Sequence, residues 1–215
     1  MGTMSKNKLA GWSLILGPTI CLICYFIQQL GIIGGAEWGN AKSIGTALTN
    51  GGALTTVTSI VIPLGLGLLL YGFLHILNGI RGNGNGDALA SFGLPFLFIG
   101  SAGFMLASGT GVVQASYPEA AELLTYVFWA IGGIAGMFFT VGFSAAFFAM
   151  GSRDEYNSTL ANANGLIAAV AFVLSVIGLL FIKDLNQITT QIIGVTYVIH
   201  TIYSIILGRG LIGQN

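Results

Sequence analysis

Six long apolar stretches dominate this chain, and almost no charged residue falls within them. They cover approximately residues 9–31, 53–79, 89–113, 121–149, 159–182 and 187–208. Each is long enough for a helix to cross a bilayer, which takes ~20 residues. A backbone in hydrocarbon must satisfy its own hydrogen bonds, and a helix does so within one segment. The sequence therefore predicts an all-α polytopic membrane protein, with residues 1–215 forming a single domain built as a bundle of six transmembrane helices.

The composition favours lipid, rather than water, as the solvent for most of the surface. Charged residues make up 7% of the chain and hydrophobic residues 54%, whereas a soluble domain carries about 25% charged residues. The net charge is zero and the basic residues are not clustered, which argues against nucleic acid as a partner because phosphate binding needs such clusters. The expected partner is the lipid bilayer. The 33 glycines also permit close packing against other membrane subunits or a second copy of the chain.

The distribution of basic residues predicts the orientation in the cell membrane. Five basic residues fall on the side of the termini and two on the opposite side, namely Lys6, Lys8, Arg81, Arg153 and Arg209 against Lys42 and Lys183. Cytoplasmic segments carry the excess of such residues, so both termini are expected in the cytoplasm. The apolar run from Leu9 is too long for the ~7–15-residue core of a signal peptide. This favours an uncleaved first helix, with Met1 or Met4 as the start.

Two weaker patterns concern how the helices pack. The first, third and fifth predicted helices begin with Leu-Ala at Leu9, Leu89 and Leu160, which is compatible with a threefold repeat of helical hairpins. The spacing of Gly132 and Gly136 is typical of helices in close contact.

Two stripes of polar side chains each contain one of the two histidines. They comprise Tyr71, His75 and Asn78 on the second predicted helix, and Tyr197, His200 and Ser204 on the sixth. The spacings place each set along one helix face. A polar group that faces acyl chains has no hydrogen-bond partner, so both stripes are expected to turn inward. These six residues are the candidate ligand-binding residues.

The depths of the two histidines suggest that they share one site. At ~1.5 Å per residue, His75 lies about 9 Å from Arg81, and His200 about 13 Å from Arg209. If their helices are neighbours, the imidazoles converge on one site, with Asn78, Ser204 and Asn162 nearby. One hypothesis is a b-type haem with His75 and His200 as axial ligands and the two arginines near its propionates. A zinc site needs four ligands, so two imidazoles do not define one.

Other chemistries remain open for these stripes. A Tyr–His site in the inner leaflet is compatible with an intramembrane enzyme or with a substrate or proton site, since histidine titrates near neutral pH. In the simplest interpretation, each histidine bonds locally and helps the helices pack. Cys21 and Cys24 lie within the first apolar stretch, where small packing residues are the expected role rather than a redox pair.

The absence of certain charged residues and motifs argues against several classes of function. No Asp, Glu, Lys or Arg lies near the centre of a predicted helix, although ion-driven pumps commonly place one there. No hydrolase or nucleotide-binding motif is present, so no catalytic and no metal-binding residue is assigned. The sequence favours a non-enzymatic membrane protein that binds or passes a small or apolar molecule, or an accessory subunit of a membrane assembly.

Overall fold

The computed structural model describes residues 4–181 and 185–213, with side chains for all of these except 179–193. Every regular element within those ranges is a helix. Six of the helices are long and apolar enough to cross a membrane, which confirms the predicted fold class. Met1, Lys183 and residue 182, where the fifth predicted helix ends, lie outside the described residues.

The membrane-crossing helices follow the predicted stretches closely. In chain order, and with one shorter helix after the first, the elements are α1 (Lys6–Phe26, continued by a π-helical turn, Ile27–Ile32), α2 (Ala41–Asn50), α3 (Gly52–Ile80), α4 (Asp87–Ser116), a short 3-10 turn (Pro118–Ala120), α5 (Ala121–Gly151), α6 (Ser158–Phe181) and α7 (Leu185–Gly213).

Helix α2 lies in the connection between the first two membrane-crossing helices, where the sequence predicts no span. Its N-terminus is capped by Asn40, whose side chain accepts a hydrogen bond from the backbone N–H of Ser43 at 3.1 Å. Its buried face includes Ala41 and Ile44 and packs against α4 and α5. Helix α2 therefore covers one end of the bundle. We call that end the α2 side, and the end that holds residues 6 and 213 the termini side.

The six membrane-crossing helices form a closed ring in chain order. Each packs against the next, from α1 with α3 to α6 with α7, and α7 also packs against α1. Glycines permit the closing contact, because a Cβ on Gly11 would lie 2.6 Å from the carbonyl oxygen of Gly208. A Cβ on Gly142 of α5 would likewise lie 2.5 Å from the backbone nitrogen of Leu97 on α4. By contrast, a Cβ on Gly132 would meet no atom within 4 Å, so this glycine does not make the tight contact that its spacing predicts.

Two turns on the termini side are joined by a hydrogen bond. The turn between α3 and α4 contains Gly82, Gly84 and Gly86 with φ of +73°, +88° and +87°, a conformation that side chains with a Cβ rarely adopt. Arg153, in the turn between α5 and α6, donates a hydrogen bond to the backbone carbonyl of Asn83. The α3–α4 and α5–α6 hairpins are thereby connected at their ends.

Candidate functional site

The ring contains a partly open cavity of about 220 Å³, which we call the central cavity. For comparison, an apolar protein cavity of ~150 Å³ holds a benzene molecule. The described lining residues come from α1, α3, α4, α5 and α7. On α5 they extend from Phe128 to Phe143, which is about 22 Å along a helix at ~1.5 Å per residue. The cavity is therefore elongated along the bundle axis.

The wall of the cavity is largely apolar. Aromatic rings line it from four helices, including Phe104 on α4 and Phe128, Trp129 and Phe139 on α5. Gly132 lies one turn from Phe128 and also lines the cavity, and open space remains where its side chain would be. An apolar wall with few polar groups is the usual composition of a small-molecule site.

An aromatic cluster closes the cavity towards the termini side. It consists of Phe73 on α3, Phe143 and Phe147 on α5, and Tyr203 on α7. The ring centroids of Phe73 and Phe143 are 4.9 Å apart, and those of Phe147 and Tyr203 are 5.5 Å apart. Phe147 is 0% exposed. These edge-to-face and tilted contacts are favourable aromatic geometries, so the cluster is a packed layer and not a channel.

The opposite end of the cavity reaches towards α2. Gln28 and Gln29, on the π-helical turn after α1, line the cavity here, and the Gln28 side chain donates a hydrogen bond to the hydroxyl of Thr58 at 2.9 Å. A second cavity of about 60 Å³ shares both glutamines with the first and extends to Ile44 of α2. Phe128 lines both cavities and is 41% exposed. The accessible end of the site is therefore on the α2 side.

His200 on α7 lies where the cavity meets the aromatic cluster. Its ring stacks on Phe143 with centroids 5.4 Å apart and contacts Phe147 at 5.1 Å. Its Nδ1 lies 2.9 Å from Oδ1 of Asn164 on α6. The Asn164 Nδ2 donates to the carbonyl of Leu160 at 2.9 Å, which fixes the orientation of the amide. Because Oδ1 can only accept, Nδ1 of His200 carries the proton.

The protonation of Nδ1 leaves the second ring nitrogen of His200 as an acceptor. In a neutral imidazole one nitrogen donates and the other accepts, so Nε2 presents a lone pair. His200 is 5% exposed, and its Nε2 has no hydrogen-bond partner within the described part of the chain. A buried polar atom without a partner is uncommon in folded proteins and calls for an explanation.

Tyr197 lies one turn before His200 on α7 and lines the same cavity. Its hydroxyl is buried and also lacks a hydrogen-bond partner among the described residues. The Cys21 thiol lies beside this hydroxyl. Because the thiol donates its proton to the carbonyl of Ile62 at 3.4 Å, it offers the hydroxyl only a weakly accepting sulfur. The cavity thus contains two polar groups from one face of α7 that lack a strong hydrogen-bond partner among the described residues.

The third residue of the α7 stripe, Ser204, is buried but does not line the cavity.

The stripe on α3 lies further out. His75 is half-buried, and its Nε2 hydrogen-bonds Oδ1 of Asn7 on α1 at 2.9 Å. Tyr71 and Asn78 are exposed. The inward orientation expected for both stripes therefore holds on α7 and fails on α3, because large apolar side chains of α3, such as Phe73, occupy its inner face.

The predicted arginines lie at the surface on the termini side. Arg81 donates to Oδ1 of Asn78 at 3.4 Å and to the hydroxyl of Ser91 at 3.3 Å, and Arg209 is exposed. Of the two histidines, only His200 lines the central cavity. A haem held by both imidazoles and both arginines stays a prediction from the sequence.

Several site residues were not identified from the sequence. Asn164, Gln28, Gln29 and the aromatic residues of α5 carry no motif. The available signal was that an amide side chain within an apolar helix needs a partner. This requirement predicts that the amide faces inward, but it does not predict which residue it bonds.

Comparison with known protein families, with curated proteins and with solved structures gave no match. The six long apolar helices make this chain a polytopic membrane protein. Because no known protein matches, the function is inferred from the residues of this chain.

Proposed function

We propose that this membrane protein binds a small, predominantly apolar molecule in the central cavity, without catalysing a reaction on it. One observation carries the proposal: the ring of helices contains a partly open, largely apolar cavity of about 220 Å³ that its side chains do not fill. Protein interiors are normally packed with few voids larger than a water molecule. A cavity of this size leaves its lining side chains without van der Waals contacts on one side, and a bound molecule would supply those contacts.

Binding is favoured over passage across the membrane. A channel or carrier needs a continuous route, and here the aromatic cluster fills the axis between the cavity and the termini side. Phe143 and Phe147 stack with centroids 5.2 Å apart, and both are at most 1% exposed. In this conformation a ligand that arrives from the α2 side or through the membrane at Phe128 has no onward path.

The proposal can be tested with bromobenzene as an apolar probe. Trp129 lines the cavity, and a bromine atom quenches tryptophan fluorescence on contact. The other tryptophans, Trp12 and Trp38, are replaced by Phe so that Trp129 is the single reporter. We expect quenching that saturates with bromobenzene concentration when the protein is held in lipid nanodiscs.

A matched pair of glycine variants separates binding from partitioning into lipid. Gly132→Leu fills the open space beside the cavity and should abolish the saturable component. Gly109→Leu is the control, since a Cβ there also meets no atom within 4 Å but Gly109 lines neither cavity. Quenching that rises linearly, or that is equal in both variants, would overturn the proposed function.

A further inference from the structure

The closed end of the cavity presents two buried polar groups for which the described residues offer no strong hydrogen-bond partner. Nε2 of His200 is an acceptor, because the hydrogen bond from Nδ1 to Asn164 fixes the tautomer. The Tyr197 hydroxyl is three residues earlier, and positions i and i+3 are neighbours on a helix surface. Both side chains line the cavity. Among the described residues, Nε2 of His200 has no hydrogen-bond partner, and the Tyr197 hydroxyl has beside it the weakly accepting thiol of Cys21.

These two groups define what a complementary ligand must offer. The His200 nitrogen requires a donor, whereas the Tyr197 hydroxyl can donate to a ligand oxygen. A single hydroxyl group meets both requirements, because it donates its proton and accepts on its oxygen. A cationic donor is disfavoured, since moving a charge into an apolar site without a counter-ion is costly and none of the described lining residues is acidic.

We propose, on the basis of the function proposed above, that the ligand is a neutral, mostly apolar molecule with one hydroxyl group. That hydroxyl donates to Nε2 of His200 and accepts from the hydroxyl of Tyr197 at the closed end of the cavity. The apolar body extends from there towards the α2 side, between Phe104 on α4 and the glycine-containing face of α5. Asn164 is a positioning residue, which acts on the ligand only by holding the imidazole in the accepting tautomer.

The experiment compares 4-bromophenol with 4-bromoanisole in the Trp129 quenching assay. The two probes share the ring and the bromine atom, but the methyl ether cannot donate a hydrogen bond. Measurements are made at pH 7, where a phenol is neutral. One net hydrogen bond corresponds to a preference of about threefold to tenfold for the phenol. The two probes partition into lipid to different extents. This difference cancels when the ratio of their dissociation constants is compared between protein variants.

The expected result is that the preference is present in the parent protein and disappears in His200→Phe, which keeps an aromatic ring stacked on Phe143. Tyr197→Phe should reduce the preference and is the second test if His200→Phe fails to fold, because it removes only a hydroxyl that has no strong partner among the described residues. Ser204→Ala is the matched control on α7. It removes another buried, unpartnered hydroxyl from a residue that does not line the cavity, and should leave the preference unchanged.

The possible failures are distinguishable. If bromobenzene shows saturable quenching but the phenol preference is absent, or survives in both His200→Phe and Tyr197→Phe, then the hydroxyl proposal is wrong and the binding function stands. If none of the three probes shows saturable quenching that Gly132→Leu removes, the proposed function itself is wrong.

Discussion

The Asn164 side chain on α6 accepts a hydrogen bond from Nδ1 of His200 on α7 at 2.9 Å. This contact joins two neighbouring helices and also selects the tautomer of the imidazole. A single amide therefore determines which nitrogen of His200 is available to the cavity. Its structural and functional effects can be measured separately.

Replacing Asn164 with Leu should remove the hydrogen bond that keeps the ring proton of His200 on Nδ1. We expect the ¹⁵N NMR spectrum of the His200 ring to change from one tautomer, with the proton on Nδ1, to a mixture. The free energy of unfolding should fall by about 1 kcal/mol, the size of one hydrogen bond between membrane helices. Asn162→Leu, at an exposed position on the same helix, is the control. An unchanged His200 spectrum in Asn164→Leu would contradict the assignment.

The closing contact of the ring predicts a strong difference between two neighbouring glycines of α7. A Cβ on Gly208 would lie 2.5 Å from the carbonyl oxygen of Gly11, whereas a Cβ on Gly210 would meet nothing within 4 Å. Gly208→Ala should lower the free energy of unfolding by about 1–3 kcal/mol, because backbone must move to relieve the overlap. Gly210→Ala should not lower it. Thermal unfolding of the two variants in one detergent is the measurement, and equal stabilities would show that the ring is not closed at this point.

Removing the ring of Phe147 should lengthen the cavity towards the termini side. Phe147 contacts Phe73, His200 and Tyr203, and Phe→Ala at a buried position costs about 3–5 kcal/mol. We expect Phe147→Ala to be destabilised and to bind 1-bromonaphthalene more tightly, relative to bromobenzene, than the parent protein does. Phe98→Ala is the control, since Phe98 is 57% exposed. If both variants show the parent's probe preference, Phe147 does not limit the cavity.

A pH dependence is expected from the turn between α5 and α6. Burial raises the pKa of Tyr156 to about 12, and the nearby Glu155 carboxylate acts in the same direction. The folded protein therefore keeps the phenol proton at pH values where the unfolded chain loses it. The resulting stabilisation is complete below about pH 10, the ordinary pKa of tyrosine, and is lost as the pH rises towards 12.

Tyr156→Phe should accordingly flatten the fall in the free energy of unfolding above about pH 10. Urea or detergent unfolding curves recorded between pH 8 and pH 12 would measure it. Tyr117→Phe, at a residue that is 55% exposed, serves as the comparison. The prediction is wrong if both variants lose stability with the same slope as the parent protein.

The helical bundle was predictable because lipid leaves the backbone few alternatives. A run of about 20 apolar residues without charge indicates a spanning helix, and the six predicted spans match six observed helices. Helix α2 is shorter and amphipathic, so the same criterion does not detect it. Its signals were the Asn40 cap and the spacing of Ile44 and Leu48, which are weaker than a hydropathy signal.

The candidate site was only partly predictable from residue types. Tyr197 and His200 stood out as polar residues on one face of an apolar helix, and the structure places both at the cavity. Of the two amides near the start of α6, the sequence pointed to Asn162, but Asn162 is exposed and Asn164 contacts His200. Residues two apart on a helix point in directions about 200° apart, and only the placement of α6 against α7 decides which amide meets His200.

Gly132 illustrates the same limit for small residues. Its four-residue spacing from Gly136 is identical whether the face packs against a helix or borders an empty space. The sequence shows that Gly132 has no side chain, but it does not show whether a neighbouring helix or a cavity lies beside it.

The contact between Gly11 and Gly208 has a consequence for biogenesis. Chains are made and folded from the N-terminal end, so the inner face of α1 has no partner on one side until α7 has been inserted. The part of the cavity wall that α7 supplies is added only when this helix docks. Until α7 docks, the cavity is open to the bilayer on that side, so its apolar wall is exposed to lipid before the ring closes.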